Sequence, residues 1–480
     1  MTVSGEAWSS PLVERYASRT MLAIWSPDRR YGLWRRLWLA LAEAEQELGV
    51  PIPDAALAQM RAHLDDIDYD RVAYYERRFK HDVMAHVHAF GDVAPAARPF
   101  IHLGATSAFV TDNADIILMR DSLLLLRDRL LQLVRVLATF ARQWRDQATL
   151  GYTHLQPAQV TTVGKRATLW IYDFVLDLQE VDRIARWLPL RGVKGTTGTQ
   201  ASFLELFEGN HEKVRELERR VVAAMGFESA VPVAGQTYTR KLDTWVMDAV
   251  AGVAASASKW SGDIRVLQAF GELSEPFDSE QIGSSAMAYK RNPMKSERIA
   301  SLARWVLSLR QNAPHTHATQ FLERTLDDSA ARRLYVPEAF LATDAILLLG
   351  LAVARGLQVH VPTIQRRLAN ELPFMATEAL LMQAVKAGGD RQEVHEIIRQ
   401  HSLAAAAAME EKGVPNDLLE RLAGDPRFPL RDTPLHALLR PDRFYGRAPQ
   451  QVDEFLAEVV DPLLRSLGEG AAVADEEPAV

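Results

Sequence analysis

The chain has 480 residues, 48% hydrophobic and 24% charged, with a formal net charge of −7 and not one cysteine. That length divides into more than one core of roughly 100–200 residues each, and the acidic balance excludes a general nucleic-acid binder, so an anionic ligand has to be met by a local cluster of cations. The missing cysteines exclude a disulfide framework, an iron–sulfur centre, a thiol nucleophile and cysteine-ligated zinc, and fit a reducing compartment.

The opening MTVSGEAWSS lacks a basic stretch followed by an apolar one, so no secretory leader is expected. Short helical patterns broken by Pro and Gly then run to about residue 111, and read as a small helical domain, 1–111. Within it stands Lys80-His81-Asp82 with His86 and His88. Placed on a helix, His81 and His88 share a face but lie two turns apart, about 10 Å by rise, and His86 points elsewhere. This is not the i, i+4 pair that brings two imidazoles to one metal, so His81 is expected to face a substrate or to be structural, and no metal is expected.

From Asn113 to about Asp146, Ile116, Met119, Leu123, Leu126, Leu130, Leu133, Leu137 and Phe140 follow an unbroken heptad pattern. The spacing predicts a helix on the order of 50 Å long. Ile117, Leu124, Leu125, Leu131 and Val136 make it apolar on further faces, as in a helix buried by several neighbours. His154 follows in GYTHLQPAQ, a Pro-broken segment read as a loop between helices, where a lone histidine is either structural or catalytic. After a helix over about 165–187 comes GTTGTQASF from Gly195. It is glycine-rich enough to cradle an anion but lacks the lysine and spacing of a phosphate loop.

Leu242, Val246, Ala249, Val253, Ala257, Trp260, Ile264 and Leu267 predict a second long helix, with Gly252, Ala254, Ala255 and Ser256 beside the stripe allowing close approach. Gly283 to Glu297, GSSAMAYKRNPMKSE, gathers hydroxyls, cations and Asn292-Pro293 before a helix starting near Met294. It reads either as a solvated basic loop or as an anion nest of N–H groups near Ser284 and Ser285, reinforced by Lys290 and Arg298. In RTLDDSAARR, Arg324, Ser329, Arg332 and Arg333 match phosphate oxygens in type, while Asp327, Asp328 or Ser329 equally suit a helix cap. Helices over about 294–311 and 338–358 complete a central long-helix bundle, 112–364. The apolar run Ala345–Ala354 is well short of the about 18 residues a membrane span needs. A C-terminal helical domain, 365–480, ends in an acidic tail expected to be disordered. The fold class expected is all-α, in three domains, of a protein that neither spans nor binds a membrane.

Taken in order, RYAS at Arg15, KHDVMAHVH, IHLGATS, GYTHLQPAQ, VKGTTGTQASF, GQTYTRK, GSSAMAYKRNPMKSER, ERTLDDSAARR and ELPFMATE resemble the adenylosuccinate lyase branch of the fumarase/aspartase superfamily, in its animal-like form. The 283–297 segment resembles that superfamily's signature loop. The resemblance implies a fumarate-releasing C–N lyase of purine nucleotide biosynthesis. It would act by β-elimination on adenylosuccinate, giving AMP, and on SAICAR, giving AICAR, with no cofactor. It also implies a cytoplasmic homotetramer whose active sites are shared between subunits.

By the same resemblance, Ser284 is the catalytic base and His154 the general acid, with Glu297 orienting His154. Lys290 and Asn292 hold the succinyl carboxylates. Arg15, Tyr16, Lys80, His81, Asp82, Thr106, Ser107, Gln236 and Arg298 match substrate-binding positions, and Arg324, Ser329 and Arg333 those expected around the phosphate. Ala288 departs from the usual proline, Lys80 from the usual arginine and Ala331 from a frequent asparagine. Two other readings are another fumarate-releasing lyase, against which the arginine cluster argues, and a non-catalytic scaffold, against which Ser284, Lys290, Asn292 and His154 argue.

Overall fold

The computed structural model describes residues 8–278 and 280–468, so the expected acidic tail lies, from residue 469, outside the described residues. Ser26 opens the first long helix, α1 (Pro27–Glu47). Its hydroxyl accepts the Arg29 N–H at 3.2 Å, and Pro27 fills a position where a missing N–H costs nothing. Helices α2 (Tyr69–Phe79) and α3 (Asp82–Val93) meet at Lys80, which adopts a left-handed conformation with φ 55°. His81 is therefore not on a helix beside His88, as the sequence suggested. It is the residue before α3, and its Nδ1 accepts the Met84 N–H at 3.3 Å.

The bundle follows the apolar periodicity. Helix α4 spans Ser107–Gln143, and all eight residues of its predicted stripe are buried. It starts several residues before Asn113 because the turn at Gly104 releases the chain directly into it. Helix α4 packs against α5 (Val163–Trp187) and further along the chain against α8 (Asp327–Arg355), while α6 (Lys241–Ala269) packs against α7 (Met294–Arg310). The stripe predicted on α6 is buried at every position. Deep in this core, Arg129 of α4 and Asp344 of α8 meet at 2.5 Å, and Asp344 also accepts the Ser18 N–H at 3.1 Å, tying the N-terminal segment to the bundle. By length and composition α8 is apolar enough to cross a membrane, with a mean hydropathy of 1.8 over its best window. However, 83% of that window is buried inside the fold. The uninterrupted run read from sequence underestimated this helix because Asp344 and Thr343 interrupt the run without facing water.

One apolar core runs from Leu12 through the bundle to Val460, and a second, smaller one joins Leu380, Ile397, Leu418 and Phe428 near the C-terminus. The expected loop around His154 is instead an antiparallel hairpin, β1 (Ala148–Thr153) and β2 (Gln156–Thr162), with a bulge at Gly151/Tyr152. His154 and Leu155 form its two-residue turn, both with positive φ, 55° and 58°. That is the backbone a tight hairpin requires, but one usually supplied by Asn-Gly.

Candidate active site

Between the N-terminal helices and the bundle lies a cavity of about 760 Å³. Lys80, His81 and Asp82 reach it from the α2–α3 junction, Thr106 and Ser107 from the start of α4, Gln236 from the segment before α6, Arg324 from the segment before α8, and Ser329 and Arg333 from the first two turns of α8. Nine of the predicted binding residues therefore share one wall system although the sequence spreads them over more than two hundred positions. Because His81 Nδ1 accepts a backbone N–H, its other ring nitrogen is left to face the cavity, 3.4 Å from the Ser107 hydroxyl. Arg333 spans the cavity mouth to Asp82 at 2.7 Å. Burial opposes charge on Asp82, but the Arg333 guanidinium and the Val83 N–H outweigh it and hold the carboxyl below its ordinary value.

Beneath the cavity lies a lattice of buried ions. Arg240 grips Asp112 at 3.0 Å and Asp328 at 2.8 Å, and Asp328 in turn holds Arg324 at 3.1 Å. Arg332 bonds Asp243 at 2.7 Å, Asp115 at 3.0 Å and the Tyr238 hydroxyl at 2.6 Å. Asp115 also takes Arg30 at 2.5 Å. Burial acts against the charge of Arg332 and Arg240, yet the surrounding carboxylates raise both above the usual arginine value. Removing one member would strand a partner's charge in the interior, at a cost of about 3–5 kcal/mol. The lattice therefore presents Arg30 and Arg324 to the cavity in fixed positions. Sequence reasoning missed Arg30, Asp112, Asp115 and Asp328 as parts of this floor, and missed the aromatic wall of Trp25, Tyr31 and Trp34. Arg240 and Asp328 were inside quoted motifs, whereas SPDRRY carries no recognisable signal. Nor do Asp327, Asp328 and Ser329 cap α8. They lie within its first turn, and Asp328 serves the lattice instead.

The remaining predicted residues form two other groups. Arg298, at the start of α7, sits 5.8 Å above the Tyr16 ring, with Arg15 beside it. In the 283–297 segment, the Ser284 hydroxyl oxygen accepts the N–H groups of Ala286 at 3.3 Å and Met287 at 3.1 Å, and the Asn292 amide donates to the Gly283 carbonyl at 2.7 Å. The loop's exit is pinned by Glu275, whose carboxylate accepts the N–H groups of Lys295 at 2.9 Å and Ser296 at 2.8 Å. Lys290, Glu297 and His154 are exposed. None of Ser284, Lys290, Asn292, Glu297 or His154 lines the cavity, so a single chain does not gather the whole predicted set. Among the described residues no group of three or more His, Asp or Glu is arranged to hold a metal ion. The His86 ring lies tilted against Tyr31 with centroids 4.0 Å apart, and the His88 ring lies 4.7 Å from that of Phe79.

Residues 11–308 match the family model described as lyase, and residues 373–455 that described as adenylosuccinate lyase C-terminus. The chain is 50% identical to the adenylosuccinate lyase of Saccharomyces cerevisiae, across 95% of this chain and 96% of that one. It belongs to the adenylosuccinate lyase family. Members in Schizosaccharomyces pombe, 48% identical over 95% of this chain and 96% of theirs, and in Schistosoma mansoni, 44% identical over 96% of each, extend the match. Among solved structures, a 3-carboxy-cis,cis-muconate lactonizing enzyme from Pseudomonas putida superposes with a TM-score of 0.81 at 23% identity, covering 95% of this chain and 99% of that one. A fumarate lyase from Mesorhizobium sp. BNC1 superposes with a TM-score of 0.79 at 24% identity, covering 94% and 100%. At such identities these two establish the all-α fumarase/aspartase-type fold alone. For an adenylosuccinate lyase family member, a cavity rimmed by arginines and backed by fixed carboxylates has the polarity an anionic nucleotide needs.

Proposed function

We propose that the chain eliminates fumarate from adenylosuccinate, leaving AMP, and from SAICAR, leaving AICAR, in purine nucleotide biosynthesis. The observation that carries this is family membership over nearly the whole chain, joined to a cavity in which Arg324, Ser329 and Arg333 meet Lys80, His81 and Asp82. Arg324, Ser329 and Arg333 take the phosphate. Thr106, Ser107 and Gln236, with Arg15, Tyr16 and Arg298, hold the rest of the nucleotide and the succinyl group.

In the reaction, Ser284 as its alkoxide removes the proton from the carbon next to the C–N bond. The electron pair forms the C=C bond of fumarate, and the C–N pair leaves with nitrogen, which takes a proton from His154 oriented by Glu297. Charge developing on the neighbouring carboxylate is met by Lys290 and Asn292, as in an oxyanion hole. Two N–H groups already aimed at the Ser284 oxygen favour its ionised form. No cofactor is required by this scheme.

The same reading includes a cytoplasmic homotetramer whose sites draw on more than one subunit, and the three-part division 1–111, 112–364 and 365–480. Supporting the assembly, Leu169, Tyr172 and Leu176 on α5 form a one-sided apolar stripe about half exposed in the single chain. The test is an ultraviolet assay with adenylosuccinate and an independent fumarate measurement, on the wild type and on Ser284→Ala. Stoichiometric AMP and fumarate from the wild type alone are expected. Wild-type turnover by Ser284→Ala removes the base assignment.

A further inference from the structure

Arg191 is a charged side chain with no exposed surface, and the reaction as described makes no use of it. All the hydrogen bonds of its guanidinium go to backbone carbonyls. Nε and Nη2 both donate to Gln236 O, at 2.9 and 2.7 Å, Nη2 also to Gly195 O at 2.9 Å, and Nη1 to Gly192 O at 3.2 Å. Among the described residues it forms no ion pair, so it is not one more member of the lattice beneath the cavity. Burial draws it down to about 10, against the pull of Asp112 and Glu218. A cation held this way stays charged at neutral pH and is spent on backbone geometry.

The backbone it holds is the cavity wall. Gln236 lines the cavity, and its N–H donates to Glu323 O at 3.0 Å, immediately before Arg324. The stack has no slack on either side. A Cβ on Gly198 would fall 1.7 Å from Ala234 O, and one on Gly235 would fall 2.6 Å from Glu323 O. Asn113, next to the lattice's Asp112, clasps Gly192 from below through both its N–H, at 3.0 Å, and its carbonyl, at 3.2 Å. The planar fork thus ties the Gly192–Gly195 turn to the Gln236 segment, and that segment in turn holds Glu323, which leads into Arg324.

We propose that Arg191 is a positioning residue for substrate binding, which sets the height of the Gln236 wall and, through Glu323, the reach of Arg324. The proposal rests on the reading of the cavity as the nucleotide site. Lysine keeps the buried charge but cannot reach three carbonyls in one plane. Since Arg324 grips the phosphate, which takes no part in the reaction, and Gln236 makes no contact with the groups that move the proton, their displacement weakens ground state and transition state alike.

The experiment is steady-state kinetics of full-length wild type, Arg191→Lys, Gln236→Ala and the double variant on adenylosuccinate, with thermal melts. The expected result is a KM raised about ten-fold in Arg191→Lys with kcat within about three-fold of wild type, and a double variant whose KM falls short of the product of the single effects. Gly235→Ala, which presses the same backbone from the other side, is expected to raise KM in the same way. A folded Arg191→Lys with wild-type KM, or fully multiplicative effects, overturns the proposal. Loss of soluble protein in both Arg191→Lys and Gly235→Ala assigns Arg191 to folding and overturns it equally. A wild type without turnover strikes the functional reading first and takes this one with it, whereas wild-type turnover with an unmoved KM strikes Arg191 alone.

Discussion

Glu45 has no exposed surface on α1, and neither carboxylate oxygen has a hydrogen-bond partner among the described residues. Burial alone pushes its carboxyl up to about 9. Folded, it keeps its proton between about pH 4.5 and 9, whereas the unfolded chain has already released it. Its contribution to stability is therefore whole below pH 4.5 and is lost as pH rises toward 9, by at most about 1.4 kcal/mol per unit. Glu45→Met fills the same helical position without a polar group to bury. It is expected to melt higher than wild type at pH 8 and to lose much less stability between pH 5 and 8. Thermal melts of both proteins across that range decide it, and parallel profiles would show that Glu45 is solvated or paired in solution. Nothing in EAEQE announces this residue, because a glutamate on a helix is ordinarily on its wet face. His81 was similarly legible as a residue but not as a position. The histidine that reads as helical is the helix's cap, since capping by an imidazole has no sequence rule comparable to that for Ser or Asp.

Among the elements, the long helices were readable and the hairpin was not, for one physical reason. Every predicted stripe residue on α4 and α6 is buried, so periodicity and burial coincide. On β2, Gln156 to Gln159 are all exposed and Pro157 breaks the pattern, leaving no alternation to read. The turn has the backbone of an Asn-Gly hairpin but the side chains of His154-Leu155. A left-handed residue other than glycine costs roughly 1–2 kcal/mol, and here two stand at the tip that carries the proposed acid. Asparagine tolerates this backbone better than alanine does. His154→Asn is accordingly expected to keep or slightly raise the melting temperature while lowering kcat by about 10²–10⁴. A variant that loses affinity and keeps kcat would make His154 a binding residue. The signature loop offers the converse case. Ala288 has a negative φ, and its N–H makes no hydrogen bond among the described residues, so proline fits without breaking one. Ala288→Pro narrows the open loop's freedom by about 0.4–1 kcal/mol. It is expected to raise kcat/KM about two- to five-fold, as measured under substrate-limiting conditions, and a fall would mean that the loop needs that freedom to close.

At the scale of the whole molecule, the site residues named from sequence divide into sets that one chain keeps apart. Nine of the binding residues, from Lys80 to Arg333, surround one cavity, while Asn292 and Arg298 lie apart from it, His154 stands on a hairpin tip and Ser284 on a loop, all four outside it. Sequence order could not reveal this division, because a motif shows which groups take part and not which copy of the chain supplies them. The same long helices that bury one face leave apolar side chains on the other. Beyond the α5 stripe, Trp187 and Trp245 are 43% and 38% exposed with their rings 5.1 Å apart. A monomer seldom leaves such surface to water when it repeats along a helix, and closed symmetry would cover it on every copy at once. In the proposed tetramer, Ser284 and His154 of one site come from different chains, and that has a quantitative consequence. Ser284→Ala and His154→Asn, each inactive alone, are expected to regain activity when unfolded together in equal amounts and refolded. With random mixing, one site in about four receives an intact serine and an intact histidine. Recovery near a quarter of refolded wild-type turnover supports sites built across subunits. Absence of recovery, with mixed tetramers demonstrated by mass, means that each chain supplies both groups and has to bring its loop and hairpin together by a movement of its own.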